Sequence, residues 1–233
     1  MKTLFVIPAR GGSVGLPGKN IRPLREVPLI IYSLRFARLF SGDSDICVTT
    51  DAPDIAGVLE CYGYRVPFLR PAELATDAAG SHAVMLHALD WYEQARGTYD
   101  RLVLLQPTSP FRRSRFLEDM FGLYHDGLDM VVSVKQSKAN PYFNLFEEEN
   151  GRLHLSKKSG DIQSRQSAPP VYQYNGSLYV INCGSLRRYA SLALFEQVVK
   201  YEMPEAYSVD IDNAADWHLA EYLLDLQLVD PEG

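Results

Sequence analysis

Cysteine is scarce in this sequence, and the three that occur are scattered. Cys47, Cys61 and Cys183 are odd in number and lack the C-x-x-C spacing of zinc and redox sites. This usage excludes a disulfide-stapled secreted scaffold and is typical of small core residues in a reducing cytosol. Histidine offers no ligand spacing either, because His82 and His87 lie five residues apart on a predicted helix, whereas a zinc pair needs four.

Long apolar runs and excess positive charge are also missing. No run approaches the roughly 20 residues that a membrane span requires, and Met1-Lys2-Thr3 leads into a strand pattern, not a signal peptide. The net charge is −6 and no basic stripe is present, which argues against a nucleic-acid backbone as partner. We therefore expect a cytoplasmic protein that binds neither membrane nor nucleic acid.

The most informative feature that is present is a glycine-rich loop directly after the first apolar run. Residues 3–7 are apolar, and residues 8–20 contain four glycines, the cations Arg10 and Lys19, and no acid. Glycine lets successive backbone N–H groups point into one concave site, which favours anions. The two cations can add the charge-assisted hydrogen bonds that a phosphate accepts. The loop predicts a polyphosphate site.

Neither common phosphate-loop motif fits these residues. The dinucleotide fingerprint needs glycines at i, i+2 and i+5, and that spacing is absent. The P-loop needs a glycine where Ser13 stands and a hydroxyl residue where Asn20 stands. The alternative is an ordinary glycine-rich turn between a strand and a helix.

Strand and helix patterns alternate along the 233 residues. This alternation predicts an α/β, Rossmann-like, mostly parallel sheet covered by helices on both faces, with ligands bound beyond the carboxyl ends of the strands. Strands are predicted at 3–7, 45–50, 65–68, 100–105, 129–134 and 177–182, and helices at 27–40, 53–62, 80–96, 114–125 and 213–228.

One segment interrupts this alternation. Residues 137–176 carry no strong helix signal, and the alternation from Tyr142 to Phe146 is compatible with a β arm. A short arm rich in aromatics rarely buries them alone, so a second subunit is one cover and the parent domain the other. We expect a core over 1–136, a small β-rich arm over 137–176, and the rest of the core over 177–233.

Several motifs together resemble one family, the acylneuraminate cytidylyltransferases. The blocks, in family order between residue 4 and about residue 222, are IPARGGSVGLPGKNI, TTDAPDIA, FLRPAELATDAAGS, LLQPTSPFR, YQYNGSLYVI and DIDNAADWHLAE. The resemblance implies a homodimeric enzyme with a swapped arm. Such an enzyme joins CTP to the anomeric hydroxyl of a nine-carbon α-keto acid sugar and releases pyrophosphate.

The resemblance also implies a set of nucleotide contacts. Arg10 and Lys19 would bracket the triphosphate as catalytic cations. The nucleotide-binding residues would be Ala9, Arg10, Gly11, Gly12, Ser13, Lys19, Asn20, Arg70, Ser81 and Gln106. Read alone, Arg70 could be a surface charge, Ser81 a helix cap and Gln106 a strand-end hydrogen-bonding residue.

This chain departs from the family pattern at one position in the loop. Most members resemble GSKG there, whereas Val14 stands in place of the lysine. The lost cation removes one phosphate contact, a charged hydrogen bond of about 1.5–3 kcal/mol. Weaker CTP binding or compensation by another basic residue is expected.

Asp210 and Asp212 resemble the metal-binding and catalytic aspartates of the family. Residues two apart in an extended segment point to the same side, and carboxylates with phosphate oxygens suit Mg²⁺, with Mn²⁺ as the alternative ion. One carboxylate can bind metal while the other binds it too or accepts a proton from the sugar. The alternative for this Asp-x-Asp is a helix cap made by Asp212.

The sugar carries a carboxylate, so its pocket should contain a cation. Arg165 resembles that cation, and Gln106, Asn175 and Tyr179 resemble pocket residues for hydroxyl and amide groups. If the arm swaps, some contacts come from the neighbouring subunit.

The sequence leaves the sugar open. N-acetylneuraminate or a close relative leads; legionaminate, pseudaminate, ketodeoxynononate and an eight-carbon ulosonate are alternatives, because a few hydrogen bonds discriminate them. A non-catalytic nucleotide-binding module or a dinucleotide enzyme is disfavoured by the failed glycine spacing and by the paired aspartates.

Overall fold

The computed structural model describes residues 1–12, 15–76, 79–157, 162 and 164–231. Its strands are β1 (Thr3–Pro8), β2 (Pro23–Leu24), β3 (Val27–Pro28), β4 (Ile46–Thr49), β5 (Arg101–Leu105), β6 (Met130–Gln136), β7 (Phe146–Glu149), β8 (Arg152–Leu155), β9 (Tyr172–Asn182) and β10 (Val198–Glu202). Its helices are α1 (Leu29–Arg38), α2 (Pro53–Cys61), α3 (Ser81–Arg96), α4 (Ser114–Leu123), α5 (Cys183–Arg188) and α6 (Ala214–Asp225).

Six strands form one sheet in the order β10-β6-β9-β5-β1-β4. Neighbours β1 and β4, β1 and β5, and β10 and β6 are parallel, while β9 is antiparallel to both β5 and β6. The predicted mostly parallel sheet is therefore confirmed, with one reversed strand in its middle. Because the other five strands run the same way, their carboxyl ends meet at one edge.

Helices cover both faces of this sheet. Within β1, Phe5 and Ile7 pack into a cluster with α1, α2, α4 and α6, whereas Leu4 and Val6 pack into a second cluster with α3 and α5. Successive side chains of a strand point to opposite faces, so a strand buried on both sides reads as the continuous apolar run seen in the sequence. No helix in the described part of the chain is long and apolar enough to span a bilayer.

The structure corrects several predicted elements. Residues 65–68 form no strand, and only Leu69 makes an isolated bridge, to Thr50. The edge strand β10 and the short helix α5 were not predicted, because a half-exposed strand and a six-residue helix carry little periodicity. Cys61 is exposed, so only Cys47 and Cys183 are core cysteines.

The chain leaves the sheet after Gln136 and rejoins it at Tyr172, which pairs with Gln136. Residues 137–171 are called the arm below. Its only strands among the described residues are β7 and β8, an exposed hairpin closed by Asn150 and Gly151. Both closing residues have positive φ, as a two-residue hairpin turn requires. The strand expected to begin near Tyr142 starts only at Phe146.

Candidate active site

A cavity of about 500 Å³ lies at the carboxyl ends of β1 and β5. We call it the loop cavity. Seven of the residues predicted from the sequence line it: Arg10, Lys19, Asn20, Arg70, Ser81, Gln106 and Asp212. Residues separated by up to two hundred positions thus meet in one concavity, which is the usual place for a ligand in such sheets.

The glycine loop and the aspartate segment are in direct contact. The Lys19 ammonium donates to the Ile211 carbonyl at 2.7 Å and to Asp212 Oδ1 at 2.9 Å. A Cβ added to Gly15 would lie 2.3 Å from the Asp212 carbonyl oxygen, so only glycine allows this approach. The amino-terminal loop and the aspartate segment therefore converge at this cavity.

The amide cradle expected under the phosphates is only partly available. The Gly11 N–H donates to Asp51 Oδ1 at 3.1 Å, and the Ala9 N–H donates to the Thr49 carbonyl at 3.0 Å. The amides of these two predicted nucleotide-binding residues therefore bond to the protein, and the nucleotide contacts expected of Ala9 and Gly11 stay predictions. Gly12 is exposed.

The predicted contact Ser13 and the unusual Val14 lie outside the described residues. Their expected roles at the phosphates stay predictions.

Asn20 braces the loop from inside. Its side-chain amide donates to the Arg10 carbonyl at 3.1 Å, and its own carbonyl accepts from the Ile30 N–H at 2.9 Å. Asn20 is almost fully buried but still lines the cavity. The residue therefore holds Arg10 in place in addition to facing the predicted nucleotide.

Arg70 is a buried cation on the cavity wall, not the surface charge of the alternative interpretation. Its Nε donates to Thr49 Oγ1 at 3.1 Å and a second nitrogen donates to the Thr49 carbonyl. Burial lowers the pKa of Arg70, and the charge of Asp51 opposes that shift. A buried charge next to a polar cavity is suited to an anionic ligand.

Ser81 is the first residue of α3 and is exposed toward the loop cavity. It makes no capping hydrogen bond, because Gly80 occupies the cap position. The hydroxyl and the positive end of the helix dipole are thus both directed at the predicted ligand.

Asp210 and Asp212 flank the buried Ile211, whose N–H donates to the Thr108 carbonyl at 2.8 Å. The helix cap of α6 is made by Asn213, which accepts from the Ala215 and Asp216 N–H groups. Asp212 therefore does not cap the helix, and its carboxylate faces Lys19 instead.

The pKa of Asp210 is raised, and burial is the largest cause of this shift. A hydrogen bond from Thr108 opposes this, and the negative charge of Asp212 adds to it. Repulsion between two carboxylates, one of them partly desolvated, favours the binding of a cation between or beside them.

The two carboxylates fit a magnesium ion that takes its other ligands from phosphates and water. Within the described residues, no group of three or more His, Cys, Asp or Glu side chains is arranged to hold a metal ion. Mg²⁺ commonly uses one or two carboxylates together with substrate phosphates, so the donor set matches a nucleotide-dependent metal, not a permanent metal centre.

The predicted sugar-binding residues lie in different parts of the structure. Gln106 lines the loop cavity, and a Cβ at Gly176 would lie 2.9 Å from its Oε1. Gly176 has a φ of +75°, so glycine is required here both by conformation and by space. Burial, followed by the charge of Asp210, raises the pKa of Tyr179 to about 12, which keeps its hydroxyl protonated beside the aspartate.

Asn175 is placed inside the fold. It is 2% exposed, its Nδ2 donates to Ser208 Oγ, and its Oδ1 accepts from Ser133 Oγ and the Ser177 N–H. Its amide is saturated by protein partners, so this structure assigns it a positioning role beneath the site and corrects the expected direct sugar contact.

Arg165 lines a second cavity of about 560 Å³ with Lys135, Lys138 and Glu205. We call it the arm cavity. It lies at the carboxyl ends of β6 and β10, so within one chain Arg165 belongs to a different cavity from Asp212.

Sequence reasoning missed the residues that hold the site together. Asp51 accepts a hydrogen bond from Gly11 in the glycine loop, and the Thr108 carbonyl accepts one from Ile211 in the aspartate segment. Asn213 caps α6. A polar residue directly after a buried strand was the available signal for Asp51.

Comparisons with known proteins agree with this geometry. The family model described as cytidylyltransferase matches residues 4–229. The CMP-N,N′-diacetyllegionaminic acid synthase of Legionella pneumophila is 33% identical over 228 residues, which are 97% of each chain. The N-acylneuraminate cytidylyltransferase of Escherichia coli is 33% identical over 223 residues, which are 94% of this chain and 51% of that protein.

A solved structure of a CMP:2-keto-3-deoxy-manno-octonic acid synthetase complexed with CTP superposes with a TM-score of 0.71. It is 18% identical and covers 97% of this chain and 100% of that one. At this identity the likeness concerns the fold.

Proposed function

The chain belongs to the cytidylyltransferase family, and from that premise we propose that it transfers CMP from CTP to the anomeric hydroxyl of a nine-carbon α-keto acid sugar, releasing pyrophosphate. The observation that carries the proposal is the contact of Lys19 with Asp212 inside the loop cavity. The proposal makes Lys19 the phosphate-binding cation and Asp212 the metal-binding carboxylate, a pairing that nucleotidyl transfer needs.

The described residues divide the work of the reaction. Arg10, Lys19 and the buried Arg70 all line the cavity and would offset the charge of the triphosphate. A magnesium ion held by Asp210 and Asp212, when bound, would neutralise phosphate charge and orient the displacement at the α-phosphorus. Asp210 either shares this metal with Asp212 or accepts the proton of the attacking hydroxyl.

Lys19 changes partner in this mechanism. Without nucleotide its ammonium neutralises Asp212, and it is only 12% exposed. A metal held by Asp212 would release Lys19 to the phosphates of CTP. The aspartate charge would then be compensated by the lysine before binding and by the metal afterwards.

N-acetylneuraminate or a close relative is the leading sugar, and N,N′-diacetyllegionaminate is the second candidate. The second candidate rests on the Legionella pneumophila synthase named for it, which matches this chain along 97% of its length. The chain covers only 51% of the E. coli N-acylneuraminate enzyme.

Pyrophosphate release tests the proposal. Purified protein with CTP and Mg²⁺ is offered N-acetylneuraminate, legionaminate, pseudaminate, ketodeoxynononate and an eight-carbon ulosonate in separate reactions. We expect release with a nine-carbon sugar and none with UTP or ATP in place of CTP. CTP binding without turnover on any sugar would instead support a nucleotide-binding module.

We further propose a homodimer formed through the arm, working in the cytoplasm where CTP is available. The support is the hairpin: Phe146 is 53% and Leu153 is 69% exposed. Register places Phe146 opposite Leu155, and Leu153 opposite Glu148. These apolar side chains therefore share one face, which a second subunit would cover and which would bring the arm cavity of one chain toward the loop cavity of the other.

A further inference from the structure

Arg112 is a charged residue that the mechanism above does not use. Its side chain is 0% exposed. Its Nε and one terminal nitrogen donate to the Ser177 carbonyl at 3.2 and 3.0 Å, and the same terminal nitrogen donates to the Gln106 carbonyl at 2.7 Å. The other terminal nitrogen donates to Ser33 Oγ of α1 at 2.9 Å. One guanidinium therefore joins β5, β9 and α1.

No acid compensates this charge within the part of the chain that the structure describes. None of the ion pairs found there includes Arg112. Burial lowers its pKa to about 9, which leaves the guanidinium charged at neutral pH. A buried cation held only by neutral groups is costly, and a residue needed for packing alone could be apolar.

Arg112 holds one end of the turn that supports Asp210. The Gln106 carbonyl begins a turn in which the Ser109 N–H bonds back to it at 3.2 Å. Within this turn Thr108 holds both the Asp210 carboxylate and the Ile211 N–H. Ser109 Oγ also donates to the Asn175 carbonyl at 3.0 Å, which ties the turn to the start of β9.

We propose that Arg112 is a positioning residue for nucleotidyl transfer: its guanidinium holds the turn at residues 106–109 against β9 and so places Gln106 and Asp210 for the sugar hydroxyl. The inference rests on the proposed function. The cations Arg10 and Lys19 reach the loop cavity from a separate loop. The triphosphate is therefore bound by residues that Arg112 does not touch, and of the expected nucleotide contacts only Gln106 depends on it.

The variant Arg112→Lys tests this separation, because lysine keeps the charge but lacks the planar fork with which the guanidinium spans Ser33, Gln106 and Ser177. We expect kcat for pyrophosphate release to fall about 10- to 100-fold, since small displacements of reacting groups have effects of that size. The Kd for CTP, measured by calorimetry without sugar, should stay within about threefold of the wild type.

Ser33→Ala is the matched control, because it removes one hydrogen bond of the same guanidinium on the side of α1 and leaves the three bonds to the Gln106 and Ser177 carbonyls. It should lower the melting temperature while kcat stays within about threefold of the wild type. If Arg112→Lys does not fold, Ser109→Ala breaks the connection of the turn to β9 and should lower kcat with CTP affinity retained.

Three results would overturn the inference. The first is a folded Arg112→Lys protein with wild-type kcat, and the second is a loss of CTP binding in parallel with activity. The third is an unchanged kcat in Ser109→Ala. Failure of the proposed function would look different, because the wild-type protein itself would bind CTP and release no pyrophosphate, which would remove the premise.

Discussion

The loop cavity and the arm cavity lie at the same edge of one sheet, but they are completed to different degrees. In the loop cavity, loop 9–20 contacts segment 210–212, and the hydrogen-bonded residues lie far apart in the sequence. The arm cavity is lined by Lys135, Lys138 and Arg165 next to a hairpin with exposed apolar side chains. Under the proposed function, one chain would supply most of the nucleotide site and only part of the sugar site.

This difference indicates how the activity depends on assembly. CTP binding relies on contacts within one chain, so it should survive changes to the arm. In the proposed reaction the sugar binds at the arm cavity, which lies next to the exposed apolar side chains of the hairpin. Sugar use should therefore depend on whatever covers that hairpin. The two halves of the reaction can therefore be separated by mutation.

The strongest test of the loop cavity is Asp212→Ala. We expect kcat to fall about a thousandfold or more, because a correctly placed metal contributes several kcal/mol to the transition state. The fold should persist, since the Asp212 side chain is 71% exposed. Pyrophosphate release and circular dichroism would measure the two effects.

The matched control is Asp225→Ala, which removes an exposed carboxylate of α6 that pairs with Arg25. Turnover should be retained there. Near-normal turnover in Asp212→Ala would contradict the assigned role and with it the convergence of loop and aspartates as a catalytic feature.

The arm half of the comparison is tested by the double variant Phe146→Asp and Leu153→Asp. Charges on the exposed hairpin face should dissociate the dimer and raise the KM for the sugar by about tenfold or more, since a central apolar contact is worth 1–3 kcal/mol or more. The Kd for CTP should change little. Light scattering, steady-state kinetics and calorimetry measure the three quantities.

Leu219→Asp provides the control for this variant, because Leu219 is an exposed leucine of α6 outside the arm. It should leave the oligomeric state and the sugar KM unchanged. A hairpin variant that behaves in the same way would show that the arm neither joins subunits nor serves the sugar site.

The loop cavity was largely predictable from the sequence. Arg10 and Gln106 follow strand patterns, and parallel strands bring their carboxyl ends to one edge. Lys19 lies in the loop after the first strand, and Asp212 directly precedes a predicted helix. The family resemblance gave the expected role of each residue, and the alternation of strands and helices predicted the sheet edge at which ligands bind. Local pattern and fold topology together were enough for this part.

The supports of the site were not predictable, because they depend on which strands become neighbours. Asn175 is saturated by Ser133 and Ser208, which come from β6 and from the segment after β10, a strand that the pattern did not reveal. Asp51 accepts from Gly11 only because β1 and β4 pair. Such contacts follow from sheet order, which periodicity does not encode.

The prediction with the smallest expected effect compares the carboxyl groups Asp210 and Glu205. Burial raises the pKa of Asp210, whereas a hydrogen bond from Lys138 lowers the pKa of Glu205 beside the arm cavity. A carboxyl with a raised pKa binds its proton more tightly in the folded state. Ionised Asp210 therefore destabilises the fold above its folded pKa, and this cost is absent below the unfolded pKa of about 3.9.

Asp210→Asn should accordingly raise the melting temperature at pH 7 by a small amount, on the order of 1–3 °C, while turnover is lost. The gain should disappear near pH 4, where the wild-type carboxyl takes up its proton. Thermal melts without nucleotide or metal at the two pH values measure it, with Glu205→Gln as the control that shows no gain. An equal gain at both pH values, or a lower melting temperature at pH 7, would mean that Asp210 is not electrostatically strained, and that the loop cavity stores no more charge repulsion than the arm cavity does.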